Sequence, residues 1–590
     1  MLESGLLLGD DYRDPVVRLP LVLPIPDTLQ DSLMARLDRL APVKEVAQLA
    51  ACIGREFDHA LLAAVAPLGG KELATALDRL VEAELVFRHG APPNATYTFK
   101  HALVQDAACQ SLLKSRRQQH HGRIAAVLEE RFPHMVESQP EVVARHCAEA
   151  GLIEKAADYR HKAAQVAMRR SAMAEAVAQV RDGLVLLSAL PASPARTQKE
   201  IDLQLDLGHA LTTLKGLAAP NTGAAYSRAR ELCRELGAAG PEPVALHGVW
   251  RFLHNRAELG AAQEAADELL RWGEARGDVA TEVVGHRTAA ATRFFRAELD
   301  AALKHYERVL ALCEPSPHDA ADNPLDPWLV TISHMSWELL LQGYPDRAFA
   351  RRDEALAAAE AWAWPYMLAV VLHHQNVFDQ MRGDPGALEP RSAALMALTA
   401  EHGFAHWHAT ATILHGWAVA SRGELEAGLL EMRQGLAAKQ ATGAQLKVPY
   451  YQGLIAGLQI RAGRMAEASC LLEEALARVE ATGERWFEAE LHRLKGEASL
   501  LAGRSGRAEA EAQFRRAIEV SRKQGARWWE LHGASSLARL WAECGRRQQA
   551  YDLLAPVHGW FAEGFDSQSL RDAGALLDQL GVTGTCVIPR

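Results

Sequence analysis

The chain offers four sets of side chains whose types and spacing could support chemistry: clustered histidines, cysteines, one glycine–lysine pair and a recurring series of aromatics. His402 and His406 stand four apart, a metal-ligand spacing on a helix, with His408 close behind. No acidic or cysteine partner occupies a diagnostic position beside them, so a polar helix face is the reading, and no metal is expected. His120-His121 and His373-His374 are weaker pairs. The eight cysteines (Cys52, Cys109, Cys147, Cys233, Cys313, Cys470, Cys544, Cys586) are scattered without any C-x-x-C pair, which points to small core residues rather than a zinc or redox motif. Gly70-Lys71 has Val65 where a P-loop needs its first glycine and Glu72 where it needs a hydroxyl for magnesium. H-E-x-x-H, G-x-S-x-G and calcium-loop patterns do not occur. No catalytic centre is expected.

The aromatics are more regular. Trp364, Trp407, Tyr450 with Tyr451, Trp486 with Phe487, and Trp528 with Trp529 recur at the start of successive helical units. On the concave face of a repeat superhelix, Trp364, Trp407, Tyr451, Trp486 and Trp528 would anchor a protein or peptide. The competing reading is that these rings seal the core between repeats.

The elements that position them form an array. Turn residues Ser171, Gly216, Ala257, Ala297, Gly343, Gly383, Gly423, Gly463, Gly503 and Gly545 are spaced by 40 residues in five intervals and by 41 to 46 in the others. A period near 40 means stacked helical hairpins. Five positions after the turn stands a small residue (Ala176, Ala262, Ala302, Ala348, Gly428, Ala468, Ala508, Ala550). Thirteen after it stands a large one (Leu184, Leu270, Leu310, Leu356, Met396, Leu436, Leu476). The two offsets share a helix face, so the small residue lets helices approach and the large one fills the gap to the next hairpin. In the Gly503 unit a two-residue insertion improves the fit, giving Ala510, Phe514 and Ala517. A proline-rich insertion covers 314–327, and an amphipathic helix over 567–580 is suited to cap the array. Evenly nested helix pairs leave docking surface but no enclosed pocket. Arg433, Lys439, Arg461 and Arg464 read as a solvated face.

Bulk properties limit the partners. A net charge of −10 argues against general affinity for nucleic acid or anionic membrane, and no apolar run is long enough to span a bilayer. The start lacks the basic segment of a secretory signal. Scattered cysteines fit a reducing cytoplasm.

The front end has its own pattern. Thr28 with Asp31 forms a capping box, and Leu29, Leu33, Leu37 and Leu40 form a stripe. A helix through Val43–Ile53 ends at Gly54. Two more follow near 61–66 and 72–84, then two β-prone runs, 85–90 and 95–99, and a helix beginning at His101. That order predicts a winged-helix module. Its recognition helix sets Lys71 and Arg79 against Glu72, Asp78, Glu82 and Glu84, a charge balance that argues against reading DNA.

Pro26-Asp-Thr-Leu-Gln-Asp-Ser-Leu-Met-Ala-Arg-Leu-Asp-Arg-Leu, Ile53-Gly-Arg-Glu-Phe and Tyr97-Thr-Phe-Lys-His-Ala-Leu-Val-Gln-Asp resemble bacterial signal-transduction ATPases with numerous domains, of the kind fused to class III adenylate/guanylate cyclase domains. Glu490-Leu-His-Arg-Leu-Lys-Gly and Trp560-Phe-Ala-Glu-Gly-Phe-Asp resemble that group's final repeats. The resemblance covers essentially the whole chain but lacks the group's P-loop, and Met1–Leu7 resembles the closing helix of an ATPase domain missing here. ATP or ADP with magnesium is therefore implied only for that missing domain. The resemblance also implies that His101, with Lys100 beside it, corresponds to the phosphate-sensing histidine of a Met-His-Asp motif, although Ala102 replaces the aspartate. The alternative is that His101 simply starts a helix and packs against the wing.

The expected fold is all-α: a small winged-helix module followed by a tetratricopeptide-like α-solenoid wound as a right-handed superhelix. The expected segments are 1–26 as residual ATPase tail and linker, 27–115 as winged helix, 116–150 as connecting helices, 151–565 as repeats, and 566–590 as cap and tail. The expected function is a non-catalytic scaffold that senses a protein, peptide or ligand for an ATPase or cyclase output. The alternative is a transcription regulator whose winged helix binds DNA and whose repeats sense.

Overall fold

The computed structural model describes residues 43–315, 326–501 and 503–581. The expected tail over 1–26, the Thr28 capping box, the leucine stripe to Leu40, most of the proline-rich insertion and the segment beyond 581 lie outside the described residues. Two compact units divide the chain, residues 1–163 and 164–590. The helices expected as connectors thus group with the first unit.

In the first unit the order is α1 (Lys44–Ile53), β1 (Glu56–Asp58), α2 (His59–Val65), α3 (Gly70–Glu82), β2 (Val86–His89), β3 (Thr96–Phe99), α4 (Ala102–Gln110), α5 (Lys114–Arg131), α6 (Pro133–Ser138) and α7 (Pro140–Glu149). The sheet runs β1-β3-β2, all antiparallel, with Phe57 opposite Tyr97 and Val86 opposite Phe99. Strand alternation turns Tyr97 and Phe99 inward, where Phe57 stacks on Tyr97 at 5.5 Å. β1 was not expected from sequence. Three residues with one buried phenylalanine carry too little alternation to announce a strand.

Among the described residues the repeat unit holds ten helical hairpins, the first of which begins just before the division. They pair α8 (Ile153–Arg169) with α9 (Met173–Ser188), α10 (Pro194–Lys215) with α11 (Pro220–Leu236), α12 (Glu242–Asn255) with α13 (Leu259–Arg276), α14 (Val279–Phe295) with α15 (Leu299–Leu312), and α16 (Pro327–Leu341) with α17 (Pro345–Trp362). Next come α18 (Pro365–Met381) with α19 (Pro385–Glu401), α20 (Ala405–Ser421) with α21 (Leu425–Ala441), α22 (Val448–Arg461) with α23 (Met465–Thr482), α24 (Glu488–Leu500) with α25 (Arg507–Gln524), and α26 (Arg527–Glu543) with α27 (Arg547–His558). α28 (Gln568–Gly581) caps the array, its Leu570, Ala573, Leu576 and Leu580 turned inward.

All ten expected turn residues take positive φ, Ser171, Ala257 and Ala297 among them at 59°, 59° and 61°. A left-handed residue lets the chain leave one helix and re-enter the next within a few residues. The small positions are buried at Ala176, Ala262, Ala302, Ala348, Ala468 and Ala550. In the ninth hairpin Ala510 takes that place and Ala508 is exposed, because the 3₁₀ turn Gly503–Gly506 absorbs two residues. The seven large residues at the thirteenth position are only half-buried. The fully buried one precedes it, as at Leu269, Val309, Leu395 and Ala475. Offsets 5, 9, 12 and 16 form the true inner stripe of most second helices, three and four residues apart, while in the second and ninth hairpins the stripe is displaced, to Ala225, Ala229 and Leu232 and to Ala510, Phe514, Ala517 and Ser521.

First helices behave differently. Almost every residue of α16 and α18 is buried, polar ones included. A helix buried on all sides needs neighbours beyond its own hairpin, and the superhelix supplies them by stacking its turns. The backbone amides of Gln445 and Leu446 donate to the Asn255 carbonyl at 2.9 and 3.1 Å, and Arg485 donates to Phe295 at 2.8 Å. These contacts satisfy carbonyls that α12 and α14 leave open at their C-termini. Five hairpins separate the partners in each case. Trp528 Nε1 likewise reaches the Met381 carbonyl at 3.2 Å. Gly443 is required at this seam, since a Cβ there would lie 2.7 Å from the Ala218 carbonyl oxygen. The concave surface expected to be open is therefore filled along much of its length.

Candidate functional site

Where successive turns do not close completely, the repeat unit keeps a cleft of about 1570 Å³. One wall comes from the ends of α8, α10 and α12, which bring Arg169, His209, Lys215, Arg251 and Arg256 together with Asp206. The facing wall is aromatic: Tyr366 opens α18, and Phe404, His406 and Trp407 open α20. Tyr366 meets Phe404 edge-on at 5.2 Å and Trp407 at 6.3 Å. Four guanidinium or ammonium groups against one carboxylate make this lining cationic in a chain of net charge −10. Such a surface suits an anion that carries a flat apolar part.

Behind Trp407 lies a buried polar cluster. Its ring is 5.2 Å from that of His373, whose Nε2 is 2.6 Å from Lys447 Nζ. Lys447 stands at φ 68°, immediately before α22, and its ammonium lies 5.4 Å over Trp337. Its backbone amide donates to both carboxylate oxygens of Glu484 at 3.0 Å, and Trp486 Nε1 donates to the same group at 3.1 Å. His373 Nδ1 has no hydrogen-bond partner among the described residues. Burial, then the nearby Lys439, brings Lys447 down to about 7; burial brings Lys439 down to about 8 and raises Glu484 to about 7. Burial and then the two lysines hold His406 well below its usual range, so its imidazole is neutral. The repeat core thus contains groups that change charge near neutrality.

Lys439 is 1% exposed and corrects the expected solvated face. It occupies offset 16 of the seventh hairpin, where other units place Ala359, Thr399 and Val479. That substitution in an otherwise apolar register is the signal that could have found it. An amine whose folded pKa lies below its unfolded one contributes stability that is complete above the unfolded value and lost as pH falls through the folded value. Between pH 8 and about 10.5 the chain should therefore gain about 3 kcal/mol from Lys439. Lys439→Met should remove that dependence and raise the melting temperature at pH 7, as thermal unfolding across this pH range would show.

The other expected site residues are dispersed. Tyr451, Trp486 and Trp528 are at most 1% exposed, so they belong to the core and are not surface anchors; stacking of the turns is the reason. Trp364 is half-buried against Trp362, and Trp407 alone of the five lines the cleft. His402 is not on the helix of His406 and His408; it caps α19 and stacks on Phe404. His101 is exposed at the N-cap of α4, and Lys100 pairs with Glu84 at 2.8 Å.

Ten hairpins in one superhelix define an all-α repeat protein of tetratricopeptide-like type. No family model matches the sequence. An uncharacterized protein of Rhizobium meliloti (strain 1021) is 26% identical over 538 residues, covering 87% of this chain and 50% of its own length. The chain thus spans about half the length of the curated relative it matches. Among solved structures, the Cut9–Hcn1 hetero-tetramer of APC/C is similar with a TM-score of 0.43 and 11% identity, over 81% of this chain and 89% of that one. A signal transduction ATPase with numerous domains from Pyrococcus horikoshii, which carries a tetratricopeptide repeat sensor, gives 0.28 and 10%, over 91% and 64%. The apo form of RapI gives 0.38 and 12%, over 48% and 98%. The fold assignment rests on the chain's own helices. No described helix is long and apolar enough to cross a membrane.

Proposed function

We propose that the chain is the non-catalytic sensing and interaction part of a nucleotide-dependent signalling ATPase, cyclase-linked in some of its kind. In this reading the first unit is a winged helix, supported by the order α1-β1-α2-α3-β2-β3. The repeats take up a partner or ligand, and the altered packing biases a switch whose ATP, ADP and magnesium belong to an ATPase domain. The cationic, aromatic-walled cleft carries the proposal, because it places recognition groups at the seam where superhelical turns meet. DNA recognition loses support, since Asp78 of α3 pairs with Arg88 of β2 at 2.8 Å and Glu84 pairs with Lys100.

The test uses anilinonaphthalene sulfonate, an anion with fused rings. The account expects one saturable site that quenches tryptophan emission, weakens with salt, and is lost in Arg251→Glu combined with Arg169→Glu. The same preparation should hydrolyse no ATP above background. Multiple turnovers of ATP, or probe binding indifferent to both substitutions, would overturn the proposal.

A further inference from the structure

Three side chains that the sensing function leaves unused converge in the first unit. Cys52 lies near the end of α1, Cys109 near the end of α4 and His121 within α5, and their ligand atoms lie within 4.8 Å of one another. The two sulfurs are 3.9 Å apart. Two thiolates bound to one tetrahedral zinc at about 2.3 Å would stand roughly 3.8 Å apart, close to the observed separation. Cys52 and His121 are 3% and 5% exposed, while Cys109 is partly open and offers a route of entry.

The outer partners fit as well. His121 Nδ1 is 2.8 Å from His146 Nδ1. Arg145 Nη2 donates to the Ile53 carbonyl at 2.7 Å and stands 3.4 Å from His146 Nε2, so its short bond goes to the backbone. His146 is therefore able to accept from His121 Nδ1–H, which fixes the ring tautomer and leaves Nε2 as the nitrogen for a metal.

We propose that Cys52, Cys109 and His121 form a zinc site with an open fourth position, which ties α1, α4 and α5 together. Binding releases the two thiol protons and the displaced waters of hydrated zinc to solvent, and forms two zinc–sulfur bonds and one zinc–nitrogen bond, with water kept in the fourth position. The local spacing rules could not show it, because the ligands come from three helices and no two are adjacent in sequence.

The test is elemental analysis of the full chain dialysed after exposure to zinc chloride, alongside Cys52→Ser, Cys109→Ser and His121→Gln. One zinc per chain is expected, with at least a fivefold loss in each cysteine variant. Because a variant could misfold, the unaltered chain is also titrated: zinc should shield both thiols from alkylation, a chelator should restore reactivity, and cobalt should produce a thiolate charge-transfer band. Absence of bound zinc together with unshielded thiols would overturn the site. So would a Cys52–Cys109 disulfide in the reduced preparation that persists when zinc is supplied.

Discussion

Replacing Asp379 by alanine should destabilise the repeat unit by about 3–5 kcal/mol, the range for breaking a buried ion pair from one side. Asp379 is 0% exposed at the end of α18 and is surrounded by guanidinium groups. Arg352 of α17 reaches its Oδ1 at 3.3 Å, Arg391 of α19 is bonded to Oδ2, and Arg382 lies 4.0 Å away. The carboxylate therefore joins two consecutive hairpins. Arg352 and Arg382 also lie over Phe349 at 4.6 and 4.2 Å, which restricts their escape to water. Without Asp379, three neighbouring cations face one another in a partly dry site. Asp379→Asn, which keeps the shape and removes the charge, should lose a comparable amount. Denaturant unfolding of both variants checks this; a loss below about 1 kcal/mol would mean that solvent screens the cluster.

Trp486→Ala should cost about as much, roughly 3–5 kcal/mol for truncating a large buried aromatic. Trp486 is 1% exposed and lies between two superhelical turns. Phe294 and Phe295 of α14 approach at 5.6 and 6.0 Å, Trp337 stacks at 6.3 Å, and Tyr450 stands at 5.1 Å. Truncation leaves a cavity among these rings and removes a donor from Glu484. A double-mutant cycle with Phe294→Leu should give a coupling of about 0.5–1.5 kcal/mol, although these residues belong to the fourth and ninth hairpins. Additive effects would mean that the turns do not share a core.

The local geometry of the array was legible because it rests on short-range rules. A residue able to turn left-handed every 40 or so positions marks each hairpin, and all ten such positions hold in the structure. The offset-13 leucines were misplaced by one position, since periodicity identifies a face more easily than its centre. What pattern reading missed was closure of the superhelix. Its bonds join Asn255 to Gln445 and Phe295 to Arg485, far beyond any local window. For the same reason Tyr451, Trp486 and Trp528 looked like candidates for an open surface, and Lys439 looked solvated. The cleft is legible only after closure, because its cationic wall comes from the first three hairpins and its aromatic wall from the sixth and seventh.

Hydrogen exchange at the amides of Gln445, Leu446 and Arg485 tests closure most directly. These groups precede their helices, so only the carbonyls of Asn255 and Phe295 explain slow exchange there. The expected result is protection comparable to that of helix interiors, increasing when the cleft is filled by the sulfonate probe. Exchange as fast as in a solvent-exposed loop would show that the turns stand apart, and both the seam and the cleft built on it would be wrong.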